Sequence, residues 1–283
     1  MATFYNQATL SYRGREVVSN ITTGQTVEVL TVTKTALTDT YRVGDTLTYV
    51  VSLINAGTLP LTGLTVTDNL GAYTAGGGTV VPLDYTEGTV AYFVNGVPQP
   101  APAVAAVTEL TVTDLTVPAG GNAQLVYQTT VNGFAPPVAD GSVTNLVTVS
   151  GAGITPVTAE ETVTAALGAQ LAITKSLSPA VVPENGQLTY TFVIQNMGNA
   201  PATAEDQVSV TDGFDPVLRD LTVTFAGETW TEGTQYTYSE ATGLFTTVPG
   251  QITVPAATYV RDPVTGEWTV TPGTVTLTVT GTI

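Results

Sequence analysis

Residues 30–34 read Leu-Thr-Val-Thr-Lys, and residues 171–175 repeat the pattern as Leu-Ala-Ile-Thr-Lys. Apolar residues occupy every second position before each lysine, which is the period of a β-strand that turns one face toward a core. The alternation continues at residues 64–67, and Asn95-Gly96 has the sequence of a tight hairpin turn. No segment has a convincing helical period. The chain is therefore expected to be all-β.

Two homologous repeats organise the chain. Residues 44–49, Gly-Asp-Thr-Leu-Thr-Tyr, recur at 185–190 as Asn-Gly-Gln-Leu-Thr-Tyr, and residues 64–68 recur at 208–212 as Val-Ser-Val-Thr-Asp. Strand-sized runs separated by Gly and Pro favour two tandem Ig-like β-sandwiches. The expected organisation is a first domain at 29–153, a linker at 154–168 and a second domain at 169–283.

The composition excludes several classes of function. Seven Lys and Arg residues against 23 Asp and Glu give a net charge of −16, which repels nucleic acid and anionic membranes. The 283 residues contain no His and no Cys, so imidazole bases, thiolates, disulfides and the usual zinc ligands are missing. We therefore expect no enzymatic activity, no cofactor and no metal, and neither nucleic acid nor a membrane as a partner.

The amino-terminal residues 1–6 lack the charged start and the apolar stretch of a secretory signal. The sequence also lacks an apolar run of the roughly 18 residues that a membrane-spanning helix needs. We expect synthesis without a signal peptide, with release by lysis or a non-classical route; the alternative is that the chain is a mature form.

The second repeat is expected to end one strand short. The first repeat closes with a strand at 143–150, whereas the final residues of the chain, 272–283, match the strand before it, 119–131. Residues 5–12 resemble the missing strand and are followed by a turn at Arg13-Gly14. We therefore interpret residues 1–14 as a displaced last strand, a donor strand, and residues 15–28 as its extended linker.

A sandwich without an edge strand leaves apolar side chains and unpaired backbone groups open to strand addition. An arm from another copy would fill this edge, and repetition of that contact builds an open filament. Two alternatives remain at this point. The arm could fold back onto its own second domain, or the second domain could be a shorter sandwich.

The only two lysines occupy equivalent positions in the repeats, and strand parity turns them toward the core with an aspartate and an asparagine. Asn6 of the arm takes the repeat position of the asparagine in the first domain. The first predicted site contains Lys34, Asp68 and Asn145, and the second contains Lys175, Asp212 and Asn6 of another copy.

Burial favours the neutral amine of Lys and the protonated acid of Asp. A neutral amine can attack the Asn side-chain carbonyl while the acid moves protons, and loss of ammonia leaves an isopeptide bond. The prediction is an intradomain Lys34–Asn145 bond and an intersubunit Lys175–Asn6 bond, formed autocatalytically with Asp68 and Asp212 as the catalytic acids. The alternative is a buried Lys–Asp salt bridge capped by Asn. A calcium site around residues 212–215 is a weaker interpretation.

The repeated motifs resemble the conserved-repeat domain of bacterial and archaeal surface proteins, known as domain of unknown function eleven. With the opening residues 4–12, Phe-Tyr-Asn-Gln-Ala-Thr-Leu-Ser-Tyr, the chain is also similar to the major subunits of clostridial spore appendages. The resemblance implies tandem Ig-like sandwiches in extracellular and cell-surface proteins, without enzymatic turnover.

The sequence thus predicts a structural subunit that self-assembles head to tail by donor-strand exchange, with isopeptide reinforcement. Its expected place is extracellular, in a fibre or appendage on a spore or cell surface. The expected partners are other copies of itself, together with a possible anchoring protein. The alternative function is a monomeric Ig-like surface module whose loops bind a glycan or a protein.

Overall fold

The structure is a computed structural model that describes residues 2–26 and 28–283. It confirms the all-β prediction, because its one helix in the described residues is a single 3₁₀ turn, Ala204–Asp206. The strands of the amino-terminal arm are β1 (Ala2–Asn6), β2 (Thr9–Tyr12), β3 (Arg15–Val18) and β4 (Thr22–Thr26).

The strands that follow the arm in the first repeat are β5 (Leu30–Ala36), β6 (Thr40–Tyr41), β7 (Thr46–Asn55), β8 (Leu61–Asp68), β9 (Tyr73–Ala75), β10 (Gly78–Val80), β11 (Leu83–Tyr85), β12 (Ala91–Val94), β13 (Val97–Pro98), β14 (Ala103–Ala106), β15 (Leu110–Val117), β16 (Asn122–Val131), β17 (Ser142–Ser150) and β18 (Val157–Ala165). Those of the second repeat are β19 (Leu171–Ser178), β20 (Gln187–Asn196), β21 (Thr211–Gly213), β22 (Arg219–Phe225), β23 (Glu228–Trp230), β24 (Tyr236–Ser239), β25 (Leu244–Thr247), β26 (Thr258–Arg261), β27 (Trp268–Thr271) and β28 (Gly273–Thr282).

The chain divides into two compact units. The first consists of residues up to Tyr73, Thr79–Asn132 and Val143–Val163, and the second of Thr74–Gly78, Gly133–Ser142 and Thr164–Ile283. In the described ranges, no helix is long and apolar enough to span a membrane.

The arm is a β-hairpin within the single chain. Strand β1 pairs antiparallel with β4, and β2 pairs with β3. The predicted turn at Arg13 and Gly14 closes the hairpin, with both residues at positive φ, as a two-residue turn of this kind requires. Residues 15–26 therefore differ from the expected extended linker, because they satisfy the backbone groups of the donor strand.

The first unit is a sandwich of two sheets. One sheet has the order β13-β12-β16-β7-β5, and the other β14-β15-β8-β17-β18-β6. The predicted hairpin turn lies at Asn95 and Gly96, both at positive φ, between β12 and β13. Alternate residues of β5, β7, β8, β16 and β17 point inward. The large side chains buried between the sheets include Tyr49, Leu53, Leu64, Leu125 and Tyr127.

The second unit repeats the first sheet as β19-β20-β28-β22-β23 and has a smaller second sheet, β21-β25-β24. Its core contains Phe192, Phe214, Phe245 and Leu277. Strand β8 of the first unit lies between β15 and β17, whereas β21, its repeat equivalent, pairs only with β25 in the described chain. The second sheet of this unit therefore has an open edge.

Candidate functional site

The first predicted site is assembled inside the first unit. Lys34 on β5 forms an ion pair with Asp68 at the end of β8, and neither side chain is exposed to solvent. Asp68 Oδ1 also accepts a hydrogen bond from the backbone N–H of Leu70 at 2.9 Å. The inward parity predicted for both residues places them there, because each lies on the apolar face of its strand.

Asn145 on β17 is also fully buried. Its Oδ1 accepts a hydrogen bond from the Gly71 N–H at 3.2 Å, a donor that also contacts Asn69 Oδ1 at 3.0 Å. Its Nδ2 has no hydrogen-bond partner in the described structure. Gly71 has a φ of +72°, and a Cβ there would lie 2.5 Å from Val143 Cγ1, so this position requires glycine. The carboxamide oxygen therefore accepts a backbone hydrogen bond, whereas its nitrogen is buried without a hydrogen-bond partner in the described structure.

Two tyrosines that the sequence analysis did not assign to the site complete it. The Tyr127 hydroxyl donates to Asp68 Oδ2, and Lys34 Nζ lies 4.9 Å from the centre of the Tyr49 ring. Burial raises the pKa of both tyrosines, whereas interaction with Asn145 opposes that rise. Asn145 therefore lies beside both hydroxyls and in the same cluster as the ion pair. In the sequence, the repeated Thr-Tyr pair that contains Tyr49 was the one feature that could have indicated a tyrosine in the site.

Burial increases the neutral fraction of the Lys34 amine at neutral pH. Desolvation by burial lowers the pKa of its amine to about 8, although the nearby charge of Asp68 acts in the opposite direction. A lysine protonates below its pKa, so lowering the pKa increases the neutral fraction at any given pH. At pH 7 about a tenth of such amines are neutral, compared with about one in three thousand at the ordinary value. Burial thus shifts the Lys34 amine toward the neutral form that a nucleophile requires.

The second site brings together two of its three predicted members. Lys175 on β19 forms an ion pair with Asp212 on β21 and lies 4.3 Å from the centre of the Tyr190 ring. The Lys175 side chain nevertheless remains 39% exposed, whereas that of Lys34 is 0% exposed. The expectation that both amines are enclosed is met only in the first unit.

The difference between the two lysines extends along the strands that carry them. Lys34 pairs with Val51 and Lys175 pairs with Phe192, the same 17-residue separation, so β5 and β19 have one register against their neighbours. Despite this shared register, exposure rises along the inward face from 6% to 40% between Leu30 and its equivalent, and from 7% to 52% between Val32 and its equivalent. Among the residues that the structure describes, the second unit has no strand equivalent to β17. The positions equivalent to Leu30 and Val32 are Leu171 and Ile173.

Asn6, the third predicted member of the second site, lies at the end of β1 in the arm, and its side chain is exposed. On the same arm, Phe4 is 56% exposed and Leu10 is 64% exposed. These three residues occupy the repeat positions of Val143, Asn145 and Val149, which are buried in the first unit. The arm therefore presents an inward-facing strand pattern to solvent.

A third repeated residue has a different role. Asn55 and Asn196 are both fully buried at equivalent positions. The Oδ1 atom of each accepts from a backbone N–H two residues later, and the Nδ2 atoms donate to carbonyls of nearby loops. These asparagines stabilise loops through hydrogen bonds to the backbone, so they are not candidates for cross-linking. The described residues contain no cluster of three acidic side chains that could hold a metal, around residues 212–215 or elsewhere.

No protein-family model and no curated protein sequence matches the chain. Among solved structures, the chain is similar to the pilus backbone of Streptococcus pneumoniae, with 14% identity and a TM-score of 0.35 over 86% of this chain and 55% of that one. The major pilin subunit of Bacillus cereus has 12% identity and a TM-score of 0.36 over 96% and 73% of the two chains.

A collagen-binding domain from a Staphylococcus aureus adhesin has 12% identity and a TM-score of 0.30 over 49% of this chain and 99% of that one. The chain thus spans about half the length of the pneumococcal protein. Structural neighbours of the chain are accordingly pilins and adhesin domains, but likeness at this level assigns it no function. The resemblance to the conserved-repeat domain remains an expectation based on its motifs.

Proposed function

We propose that this protein is a structural subunit whose copies join head to tail, by donation of the arm, into an extracellular fibre on a spore or cell surface. The observation that carries the proposal is the contrast between β5 and β19. The two strands share a sequence pattern and a register, but only β19 has an uncovered inward face. The arm of a neighbouring copy carries the strand that would cover it.

Each junction in this proposal becomes covalent. Strand insertion brings Asn6 of one copy to Lys175 and Asp212 of the next, as Asn145 lies with Lys34 and Asp68 in the first unit. The lysine nitrogen attacks the asparagine Cγ, a new amide bond forms, and the bond from Cγ to Nδ2 breaks. The protonated aspartic acid gives its proton to the departing Nδ2, which leaves as ammonia, and the resulting carboxylate takes up the proton that the attacking nitrogen loses.

The purified chain is expected to form fibres without added enzyme or metal. Assembly requires only the arm and the open edge, and both belong to every copy. Electron microscopy and size measurement in solution test this directly. A uniform species of 29.2 kDa over a wide concentration range would contradict the fibre and favour the monomeric binding module.

The first unit is expected to cross-link itself before assembly. Formation of the Lys34–Asn145 bond removes one ammonia from the intact mass, and Asn145→Ala prevents that loss. The bond closes a loop of about 110 residues, so by the loop-entropy estimate used for disulfides it adds about 4–5 kcal/mol of stability. Intact mass spectrometry and peptide mapping provide the readout.

Lys175→Arg serves as the matched control for the intradomain bond, because it alters the equivalent lysine of the second unit and should leave the ammonia loss unchanged. Quantitative recovery of unmodified peptides containing Lys34 and Asn145 would show that the first site holds only a salt bridge.

A further inference from the structure

The last strand of the first unit does not complete its sheet alone. After β17 the chain turns at Ala152 and Gly153 and returns as β18, which lies beside β17 in the same sheet. The hydroxyls of Thr144 and Thr162 are 2.8 Å apart across these two strands. The Val163 side chain of β18 is fully buried, so β18 contributes to the core of the first unit.

The arm repeats this hairpin position by position. Asn6, Arg13 and Thr23 each lie 139 residues before a counterpart, namely Asn145, Ala152 and Thr162. Tyr5 pairs with Thr23, 18 residues further on, and the separation from Thr144 to Thr162 is also 18 residues. Both turns consist of a non-glycine residue followed by glycine, with positive φ at both positions. The resemblance therefore extends through the returning strand.

The second unit is the acceptor of the arm, and in the described chain its second sheet lacks equivalents of both β17 and β18. In the first unit, the short strand β6 lies on the outer side of β18, and Tyr41 of β6 is 1% exposed. The 141-residue offset from Lys34 to Lys175 places residues 181–182 at the position of β6. These two residues belong to no strand in the structure, and the Val182 side chain is only half-buried.

Apolar side chains also lie on both strands of the arm. On the returning half, Val17, Val18 and Ile21 are more than half exposed. Insertion of the first strand alone would leave these side chains in water and would break the ladders that join β1 to β4 and β2 to β3. Insertion of the intact hairpin keeps those backbone hydrogen bonds and covers both halves.

We infer that the arm enters a neighbouring copy as a two-stranded hairpin, with residues 15–26 forming the second inserted strand against residues 181–182 of the acceptor. This inference rests on the proposed strand donation and specifies its partner surface. The completed acceptor sheet then has the order β24-β25-β21, followed by the donor's β1-β2 segment and the donor's β3-β4 segment.

Amide hydrogen exchange of the wild-type fibre tests the inference. An isolated two-stranded hairpin is marginally stable, so the arm of the monomer exchanges rapidly. In the fibre, residues 4–12, residues 15–24 and residues 181–182 should all exchange at least about 100-fold more slowly. Protection of residues 4–12 alone would overturn hairpin insertion and leave single-strand donation standing. A fibre with no protection in the arm would instead contradict the proposed function.

A disulfide lock provides an independent test. The chain has no native cysteine, and Tyr5 and Thr23 are paired across the hairpin on the parity opposite to Asn6. Oxidised Tyr5→Cys/Thr23→Cys protein should form fibres to within about twofold of the same protein under reducing conditions. Fibres from the reduced form alone would show that the hairpin must open. If neither form assembles, the exchange pattern of the wild-type fibre decides between the two modes.

Discussion

Boiling the assembled wild-type protein in detergent is expected to leave a ladder of covalent multimers, and Lys175→Arg is expected to reduce that ladder to monomer. Arginine keeps the positive charge beside Asp212, but its guanidinium does not form the amide with Asn6. The change removes the covalent step while it retains an ion pair at the junction. Denaturing electrophoresis measures the shift, and mass spectrometry of the dimer band identifies the joined peptides.

The arm offers its own test of the same bond. Asn6→Ala should also abolish the ladder, whereas Asn20→Ala, which alters another exposed asparagine of the arm, should preserve it. Fibres of the two ladder-deficient variants should still form and should dissolve in detergent. A wild-type fibre that dissolves wholly to monomer would refute the covalent junction and leave non-covalent strand donation.

Deletion of residues 2–14 is expected to abolish polymerisation while the first unit still folds. The deletion removes Phe4 and Leu10, which would cover Leu171 and Ile173 of the next copy. Each large apolar side chain that passes from full exposure to full burial contributes about 1.5–3 kcal/mol, so their loss weakens every junction. Light scattering and electron microscopy measure assembly, and the ammonia loss from the first unit reports its folding.

The truncated chain also provides a sharper experiment. It keeps an open edge but has no donor strand, so it should accept one arm and then stop growth. Mixing it in equal amounts with wild-type protein should shorten the fibres several-fold, whereas truncated protein that also carries Leu171→Ser and Ile173→Ser should have little effect. Fibres formed by the truncated protein alone would contradict strand donation.

The period-two alternation was sufficient to predict strands such as β5, β8 and β28 and the burial of Lys34, Asp68 and Asn145. Side-chain parity within a strand depends only on local sequence, and each of these residues has the parity of its apolar neighbours. The contribution of Tyr127 was harder to predict, because contact with Asp68 depends on how two sheets face each other. The Gly71 donor depends on a loop with positive φ, which the repeat does not preserve.

The arm shows the same limit. The sequence identified its turn and its likeness to a last strand, but the assignment of residues 15–28 to an extended linker overlooked the returning strand. Pairing across a hairpin requires the register of both halves, and the polar pairs Ser19-Asn20 and Thr22-Thr23 interrupt the apolar alternation there. The exposure of Lys175 could be inferred only after the missing strand was placed in a sheet.

The open edge of the second unit gives the proposed fibre a direction. Every copy has one arm and one acceptor, so each junction uses one of each and the two ends of a fibre differ chemically. One end exposes an unused hairpin, and the other exposes Leu171, Ile173 and an unreacted Lys175. A protein that holds the fibre at a surface therefore needs only half of the junction, and its choice of half determines which end points outward.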